Sequence, residues 1–371
     1  MDEDGVNSAE SISSPAIELL DHPSISNGDA HQVVKVVPLK LLPVLASLLV
    51  SSVVGSLLRV GLIRIAAASG PPVLYPQLVG CIIMGWTIKT KSLWVNKYYP
   101  LYLGITTGLC GSITSFSGLE LAAFREIFNI DDDYDSGKGV LAGLGLLISV
   151  VCVSVIAISF GEHVAKVVDP QRFFGHGKIE RTEFEYQEAG WIGNGLSKTD
   201  FWICGFAVGL FLLILTLIPF YGSSPWLWTS FFAPIGVYFI SHKKSRTWLI
   251  SSIGTFVRYY LSRLNLRFLY LNFPVGTYAV NVIGTLILGV VFVLERTTTT
   301  NLVSCAVFQG LSDGFCGCLT TVSTWVVELR TMQLRSAYIY GLASIVGGIL
   351  VLVLVIGGVK WSLGFSSLCS I

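Results

Sequence analysis

A ten-residue string occurs twice in this sequence, and each copy lies inside a long apolar segment. Residues 108–117 read GLCGSITSFS, and residues 314–323 read GFCGCLTTVS. Five residues of the first copy recur 206 positions later, namely Gly108, Cys110, Gly111, Thr114 and Ser117. Glycine weakens a helix by about 1 kcal/mol relative to alanine, and serine and threonine hydroxyls compete for backbone hydrogen bonds. The repeated string therefore predicts a duplicated chain with a broken helix in each half, and an ion site is its most direct purpose.

The composition is that of a polytopic membrane protein. The 371 residues are 53% hydrophobic and only 13% charged, whereas soluble domains carry about 25% charged residues. A net charge of +1 and the absence of a basic tract give no indication of nucleic-acid binding. The eight cysteines show no disulfide spacing, and the CxC at Cys316 and Cys318 is interpreted as helix packing rather than metal binding. The acidic, serine-rich residues 1–40 are predicted to be a disordered tail.

Apolar segments long enough to span a membrane, which takes about 20 residues, divide the rest of the chain. The predicted spans are 41–65, 73–88, 101–128, 140–160, 201–221, 273–294, 302–327 and 337–359, with one more inside 226–261. They predict a first four-helix repeat over residues 41–165, a cytosolic loop over 166–199, a linker helix over 200–222 and a second repeat over 226–364. Residues 237–255 are interpreted as a candidate insertion in the second repeat.

Charge placement orients these spans. Lysine and arginine concentrate in the loops on the side of the N-terminus, which the positive-inside rule assigns to the cytosol. The C-terminus is then outside, and the single linker helix inverts the second repeat relative to the first. Inverted repeats place their site at the bilayer midplane, where the broken third helices would cross. The predicted fold is all-α, with two inverted four-helix repeats.

The motifs resemble those of the Fluc/CrcB fluoride channels, and the fused arrangement resembles the eukaryotic fluoride exporters called FEX. The resemblance is carried by GFCGCLTTVSTW at residues 314–325 and NFPVGTYAVNVIG at residues 272–284. It implies an antiparallel, double-barrelled channel with a central structural sodium ion. The carbonyls that match the sodium ligands of the family are those of Gly111, Thr114, Gly317 and Thr320.

The same resemblance assigns pore-lining residues. The two aromatic positions are Phe116 and Leu119 in the first repeat, and Val322 and Trp325 in the second. If each pore takes one position from each repeat, only the pairing of Phe116 with Trp325 keeps both rings, whose positive edges can face a halide. The other matched residues are Asn281, Tyr340 and Ser344, with Thr321 and Ser323 as hydroxyl donors. Gln77 takes the asparagine position in the first repeat, so one conducting and one degenerate pore are predicted.

These residues predict a passive, selective fluoride channel that exports fluoride across the plasma membrane, working as a monomer among membrane lipids, and not an enzyme. Arg59 and Arg258 are interpreted as structural anchors that snorkel to the interface. A proton-coupled antiporter is the alternative, and it would favour an acid or a histidine near the motifs, where none is expected. A membrane enzyme would need a base or metal ligands near Thr320 and Ser323, and a scaffold would not explain the broken helices.

Overall fold

A computed structural model of the chain describes residues 34–66, 70–131, 137–168, 183–188, 190–193, 195–221, 254–267, 273–297 and 307–365. Nearly all of these residues are helical. Of the candidate insertion 237–255, only Gly254 and Thr255 are described, and residues 237–253 lie outside the described part.

Four successive helical segments form the first half. The unbroken ones are α1 (Leu41–Ala66), α2 (Leu74–Lys89) and α6 (Lys138–Val167). The third segment consists of α3 (Lys91–Leu103), a π-helical stretch (Gly104–Cys110), the single turn α4 (Gly111–Ile113) and α5 (Phe116–Ile127). The predicted division of this segment at the repeated string is confirmed.

The second half has the same order. It follows α7 (Lys198–Tyr221) and comprises α8 (Gly254–Ser262), α9 (Leu264–Arg267) and α10 (Val275–Thr297). Its third segment consists of a π-helical stretch (Leu311–Cys316), α11 (Gly317–Leu319) and α12 (Ser323–Thr331). The last segment is α13 (Leu334–Leu352), a π-helical stretch (Val353–Gly357) and α14 (Gly358–Leu363).

Several of these helices have the dimensions of membrane spans. Among the described residues, four segments are long and apolar enough to cross a bilayer, at Leu41–Ala66, Lys138–Val167, Val275–Thr297 and Leu334–Leu363. Large apolar side chains point outward from the helices, as with Leu141, Trp202 and Leu354, each 76% exposed. Such an apolar exterior fits lipid rather than water, so the prediction of an all-α polytopic membrane protein is confirmed.

One pair of short strands lies outside these helices. β1 (Val34–Leu39) and β2 (Glu183–Glu188) pair in parallel. For Val34–Leu39 the prediction of a disordered tail is wrong, and β2 lies within the predicted loop over 166–199. The sequence of β1, VKVVPL, is rich in β-branched valine, which favours strands. The loop also reaches α1, because Leu41 N donates to Gly190 O at 3.0 Å.

The second and fourth segments pack differently in the two halves. A Cβ atom on Gly85 of α2 would lie 2.1 Å from Ile158 O of α6, and one on Gly161 of α6 would lie 2.1 Å from Ile82 O. The two backbones of the first half are therefore in direct contact. In the second half, a Cβ on Gly289 of α10 would first meet the Leu352 side chain at 3.1 Å. Side chains, rather than backbone, separate α10 from α13.

Candidate functional site

The two helix breaks occur at equivalent residues. Thr114 (φ −88°, ψ 140°) and Ser115 (φ −138°, ψ 119°) are extended, and so is Thr320 (φ −90°, ψ 155°). The chain becomes helical again because Ser115 caps α5, its Oγ accepting a hydrogen bond from Gly118 N at 3.2 Å. The breaks lie at the C-terminal end of the predicted interval from Gly111 to Thr114 and of its counterpart.

Hydroxyl groups join the two breaks reciprocally. Thr114 Oγ1 accepts a hydrogen bond from Ser323 N at 3.1 Å, and Thr320 Oγ1 accepts one from Ser117 N, also at 3.1 Å. All four residues are buried, and each bond is related to the other by the 206-residue shift between the copies. Each threonine thus satisfies a free N–H at the start of the helix that follows the other break. The two copies of the string form one continuous site.

Two amide side chains bind the breaks from the second helices. Asn281 of α10 makes two bonds to one residue: its Nδ2 donates to Thr321 O at 3.2 Å, and its Oδ1 accepts from Thr321 N at 2.9 Å. Gln77 of α2 makes one bond, from Nε2 to Ser115 O at 2.9 Å, while its buried Oε1 has no partner among the described residues. Both amides bind the same position of their own repeat, so the sequence-based pairing of Gln77 with Asn281 agrees with the geometry.

Arg59 and Arg258 lie in the protein interior, each with 3% exposure. Arg59 donates to Ser112 O at 2.6 Å and to the carbonyl of Asp313, and Arg258 Nη2 donates to the equivalent carbonyl of Thr107. The expectation that they snorkel to the interface is therefore wrong. The broken and π-helical third segments leave carbonyls without helical partners, and the guanidinium groups supply the donors.

Arg258 also contacts two of the four carbonyls that were expected to hold sodium. Its Nη1 lies 2.8 Å from Gly111 O and 3.2 Å from Thr320 O. Carbonyls from the two halves thus converge on a single cationic atom. Unwound backbone carbonyls are the usual sodium ligands of transporters, so this donor set fits a small cation. For Gly111 and Thr320, such an ion would share the oxygens with Arg258.

The predicted ring pair is present. Phe116 and Trp325 lie edge to face, with ring centroids 5.5 Å apart and an interplanar angle of 66°. Both are buried, and Trp325 Nε1 has no hydrogen-bond partner among the described residues. The aliphatic residues of the other pairing, Leu119 and Val322, are buried in the same apolar cluster.

Of the predicted residues of the fourth helix, Tyr340 is buried in the same apolar cluster as this ring pair. Tyr340 packs against Phe273 with centroids 5.1 Å apart and donates its hydroxyl to Glu328 Oε2 at 2.7 Å. Ser344 is one turn further along α13 and bonds back to Tyr340 O at 2.8 Å. Thr321 and Ser323 face each other with their hydroxyl oxygens 3.3 Å apart. All the predicted polar pore residues are buried.

Two buried carboxyl groups were missed by the sequence reasoning. Glu328 Oε1 accepts hydrogen bonds from Thr277 Oγ1 at 2.6 Å and from Asn265 Nδ2 at 3.0 Å. Glu120, in α5, is fully buried, and neither of its oxygens has a partner among the described residues. The expectation that no acid lies near the motifs is therefore wrong. The signal was available, since Glu120 follows Phe116 by four residues and so shares its helix face.

A polytopic helical membrane protein, with two interlocked broken helices around a buried polar site, is the class that this structure defines. Residues 46–161 and 247–358 both match the family described as CrcB-like protein, Camphor Resistance (CrcB). The two segments cover more than half of the chain, so the protein belongs to the CrcB family.

Curated relatives match either most of the chain or about a quarter of it. Fluoride export protein 1 of Candida albicans is 30% identical over 88% of this chain and 82% of its own length. The protein of the same name from Neurospora crassa is 29% identical over 85% of this chain, which spans 66% of that relative. The fluoride-specific ion channel FluC of Chlorobium phaeobacteroides is 38% identical over 27% of this chain and 79% of its own length. No solved structure matches the chain.

Proposed function

We propose that this protein exports fluoride across the plasma membrane as a passive, selective ion channel. The observation that carries the proposal is the buried, edge-to-face Phe116–Trp325 ring pair, which shares an apolar cluster with Tyr340. Ring edges and hydroxyl or amide donors can replace the hydration shell of a small anion. The names of the fungal and bacterial relatives, fluoride export protein and fluoride-specific ion channel, point to the same ion.

The membrane potential is sufficient to drive fluoride export through a passive pathway. A membrane potential that is negative inside favours the exit of a monovalent anion by roughly 2.3 kcal/mol per 100 mV. No coupling to a second ion is needed, and selectivity resides in the donors that line the pathway. The cytosolic N-terminus, the outer C-terminus and a monomeric state in the lipid bilayer belong to this proposal.

The conducting pore is the one that contains Phe116 and Trp325, and the second pore is degenerate. Three features support a degenerate second pore: the backbones of α2 and α6 touch at Gly85 and Gly161, its aromatic positions hold Leu119 from the first repeat and Val322 from the second, and Gln77 makes one hydrogen bond while its Oε1 has no partner among the described residues. A pathway closed by backbone contact leaves no space for an ion.

A structural sodium ion at the crossing of the breaks is part of the proposal. The carbonyls of Gly111, Thr114, Gly317 and Thr320 would hold it, and its charge would stabilise carbonyl oxygens that have no helical N–H. Its support is the convergence of Gly111 O and Thr320 O on one cationic nitrogen.

A proton-coupled antiporter is the second candidate, and the buried acids Glu120 and Glu328 are the observation that favours it. Acidic residues inside membrane spans commonly belong to ion pathways and proton relays. The two candidates differ in one property: an antiporter uses a pH gradient to concentrate fluoride when the membrane potential is zero, whereas a channel does not.

The test is efflux from proteoliposomes. The purified protein is reconstituted in potassium-loaded liposomes, valinomycin is added, and external fluoride is followed with an electrode, with chloride measured in parallel. The proposal expects rapid fluoride release that depends on valinomycin, with negligible chloride release. Fluoride accumulation driven by a pH gradient at zero potential would replace the channel by the antiporter, and no fluoride movement would refute both.

A further inference from the structure

Glu120 is a buried acid that has no role among the proposed pore residues. It has 0% exposure, and no described residue donates a hydrogen bond to either carboxyl oxygen. Glu328, the other acid with 0% exposure in the described part of the chain, instead accepts bonds from Thr277, Asn265 and Tyr340. An ionised carboxylate without partners is very unfavourable in a membrane interior, so Glu120 is held in its neutral, protonated form. In that form its O–H is an unused hydrogen-bond donor.

The carboxyl group lies between α5 and α13, one helical turn along from a proposed pore residue on each helix. Glu120 follows Phe116 by one helical turn of α5, and Gly348 follows Ser344 by one turn of α13. A Cβ atom on Gly348 would lie 2.9 Å from Glu120 Cδ and 3.0 Å from its Oε2. Helices α5 and α13, which carry the proposed pore residues Phe116 and Ser344, are therefore in contact one turn further along. Gly348 has no side chain, and this leaves space for the Glu120 carboxyl group.

We propose that the protonated Glu120 carboxyl is a fluoride-binding site, one helical turn beyond the Phe116–Trp325 ring pair. This inference rests on the proposed fluoride channel. Fluoride accepts a hydrogen bond from the carboxylic O–H, and the proton stays on the carboxyl oxygen. Charge-assisted O–H donors to an anion are about twice as strong as neutral ones. The ionised form would lack the donor and would repel the anion.

The charged and titratable groups of the elements that pack against α5 have other positions or partners. Arg296 and Glu295 lie at the end of α10, where Arg296 pairs with Asp131, and Arg125 of α5 itself pairs with the same aspartate. Tyr340 of α13 donates to Glu328, and Glu162 near the end of α6 pairs with Arg330. The others are Lys138, Cys152, His163 and Lys166 of α6, Tyr278 of α10, Cys318 of α11, Arg335 and Tyr338 of α13, and Glu126 of α5. No hydrogen bond joins any of these to Glu120 among the described residues.

The experiment compares fluoride efflux from proteoliposomes at several pH values for the wild type and three variants. Glu120→Gln keeps an N–H donor that cannot ionise, and Glu120→Leu removes the donor at similar volume. The wild type should lose efflux as the pH rises. Glu120→Gln should stay near the acid-pH rate of the wild type at every pH, and Glu120→Leu should be about tenfold slower at acid pH, a factor that corresponds to ~1.4 kcal/mol. Glu126→Gln, on another face of α5, should keep the wild-type pH profile.

A spectroscopic measurement gives a second readout. The infrared band of a protonated carboxyl should shift when fluoride, but not chloride, is added to the wild type, and this shift should be missing in Glu120→Gln. The role of Glu120 alone would be overturned if Glu120→Leu kept the efflux rate and pH profile of the wild type. It would also be overturned if the infrared band of the wild type did not shift when fluoride is added. A wild type that releases no fluoride would overturn the proposed channel, and the Glu120 site with it.

Discussion

Replacing the two equivalent amides, Asn281 and Gln77, by leucine tests the single-pore assignment. Asn281 satisfies both the N–H and the C=O of Thr321, and each buried backbone group left without its partner costs about 1–3 kcal/mol. Asn281→Leu should therefore destabilise the fold by about 2–6 kcal/mol. Gln77→Leu releases only Ser115 O and also removes a buried Oε1 that has no partner among the described residues. Its net cost should be within about 2 kcal/mol of zero, because the two effects oppose each other.

Fluoride efflux should separate the two variants more clearly than stability does. Asn281 holds Thr321 at the second helix break and is itself a proposed pore residue, so we expect Asn281→Leu to reduce efflux by about tenfold or more, which takes only ~1.4 kcal/mol. Gln77→Leu should retain the wild-type rate. The assay is electrode-monitored efflux at matched protein incorporation, with melting temperatures measured in the same detergent.

The near-isosteric variant Asn281→Asp keeps the folded shape and is the safer reagent if the leucine variant fails to fold. Its carboxylate would face the Thr321 carbonyl and place negative charge beside the anion pathway. Full conduction by Asn281→Asp, or loss of conduction in Gln77→Leu, would refute the reasoning that only one pore conducts.

Three further predictions concern the ring pair, the helix contact and the cation. Trp325→Phe preserves the ring but removes the indole N–H, so efflux should fall by roughly tenfold if that donor contributes ~1.4 kcal/mol; an unchanged rate would limit the role of the residue to its ring edge. Gly85→Ala places a methyl group 2.1 Å from Ile158 O and should lower the free energy of unfolding by at least about 1–3 kcal/mol. The control Gly61→Ala, whose methyl group would have nothing within 4 Å, should not destabilise the fold. Equal melting temperatures for the two variants would contradict the close contact. Exchanging sodium for N-methylglucamine should lower the melting temperature, since a ligand at 100 times its Kd stabilises by about 2.7 kcal/mol. Identical melting temperatures would refute the sodium site and leave the Gly111 and Thr320 carbonyls to Arg258.

The positions of the helices and of the breaks could be read from the sequence because they depend on local composition. The predicted spans 41–65 and 140–160 became Leu41–Ala66 and Lys138–Val167. The string of glycines and hydroxyl residues marks the breaks because those residue types weaken a helix wherever they occur. The pairing of Phe116 with Trp325 followed from the family resemblance rather than from local pattern.

The direction of long polar side chains could not be read in the same way. Arg59 and Arg258 lie near the ends of predicted apolar segments, and only the placement of the opposite third segment shows that carbonyls are available to them in the interior. For Glu120, its helical phase relative to Phe116 was visible, but the space for its carboxyl group comes from Gly348, more than 200 residues away in the chain. Such pairings depend on tertiary contacts that no local window contains.

The two halves differ in an informative way. Residues that join the breaks reciprocally, Thr114 with Ser323 and Thr320 with Ser117, are the same in both copies, because each hydroxyl satisfies an N–H of the other half. Loss of a residue from one copy would open the crossing that both halves share. The side chains proposed to line a pore are not linked in this way, because a ring or a hydroxyl beside one pathway does not stabilise the other pathway. A fused chain can therefore retain both copies of the crossing while only one pathway keeps its donors and rings.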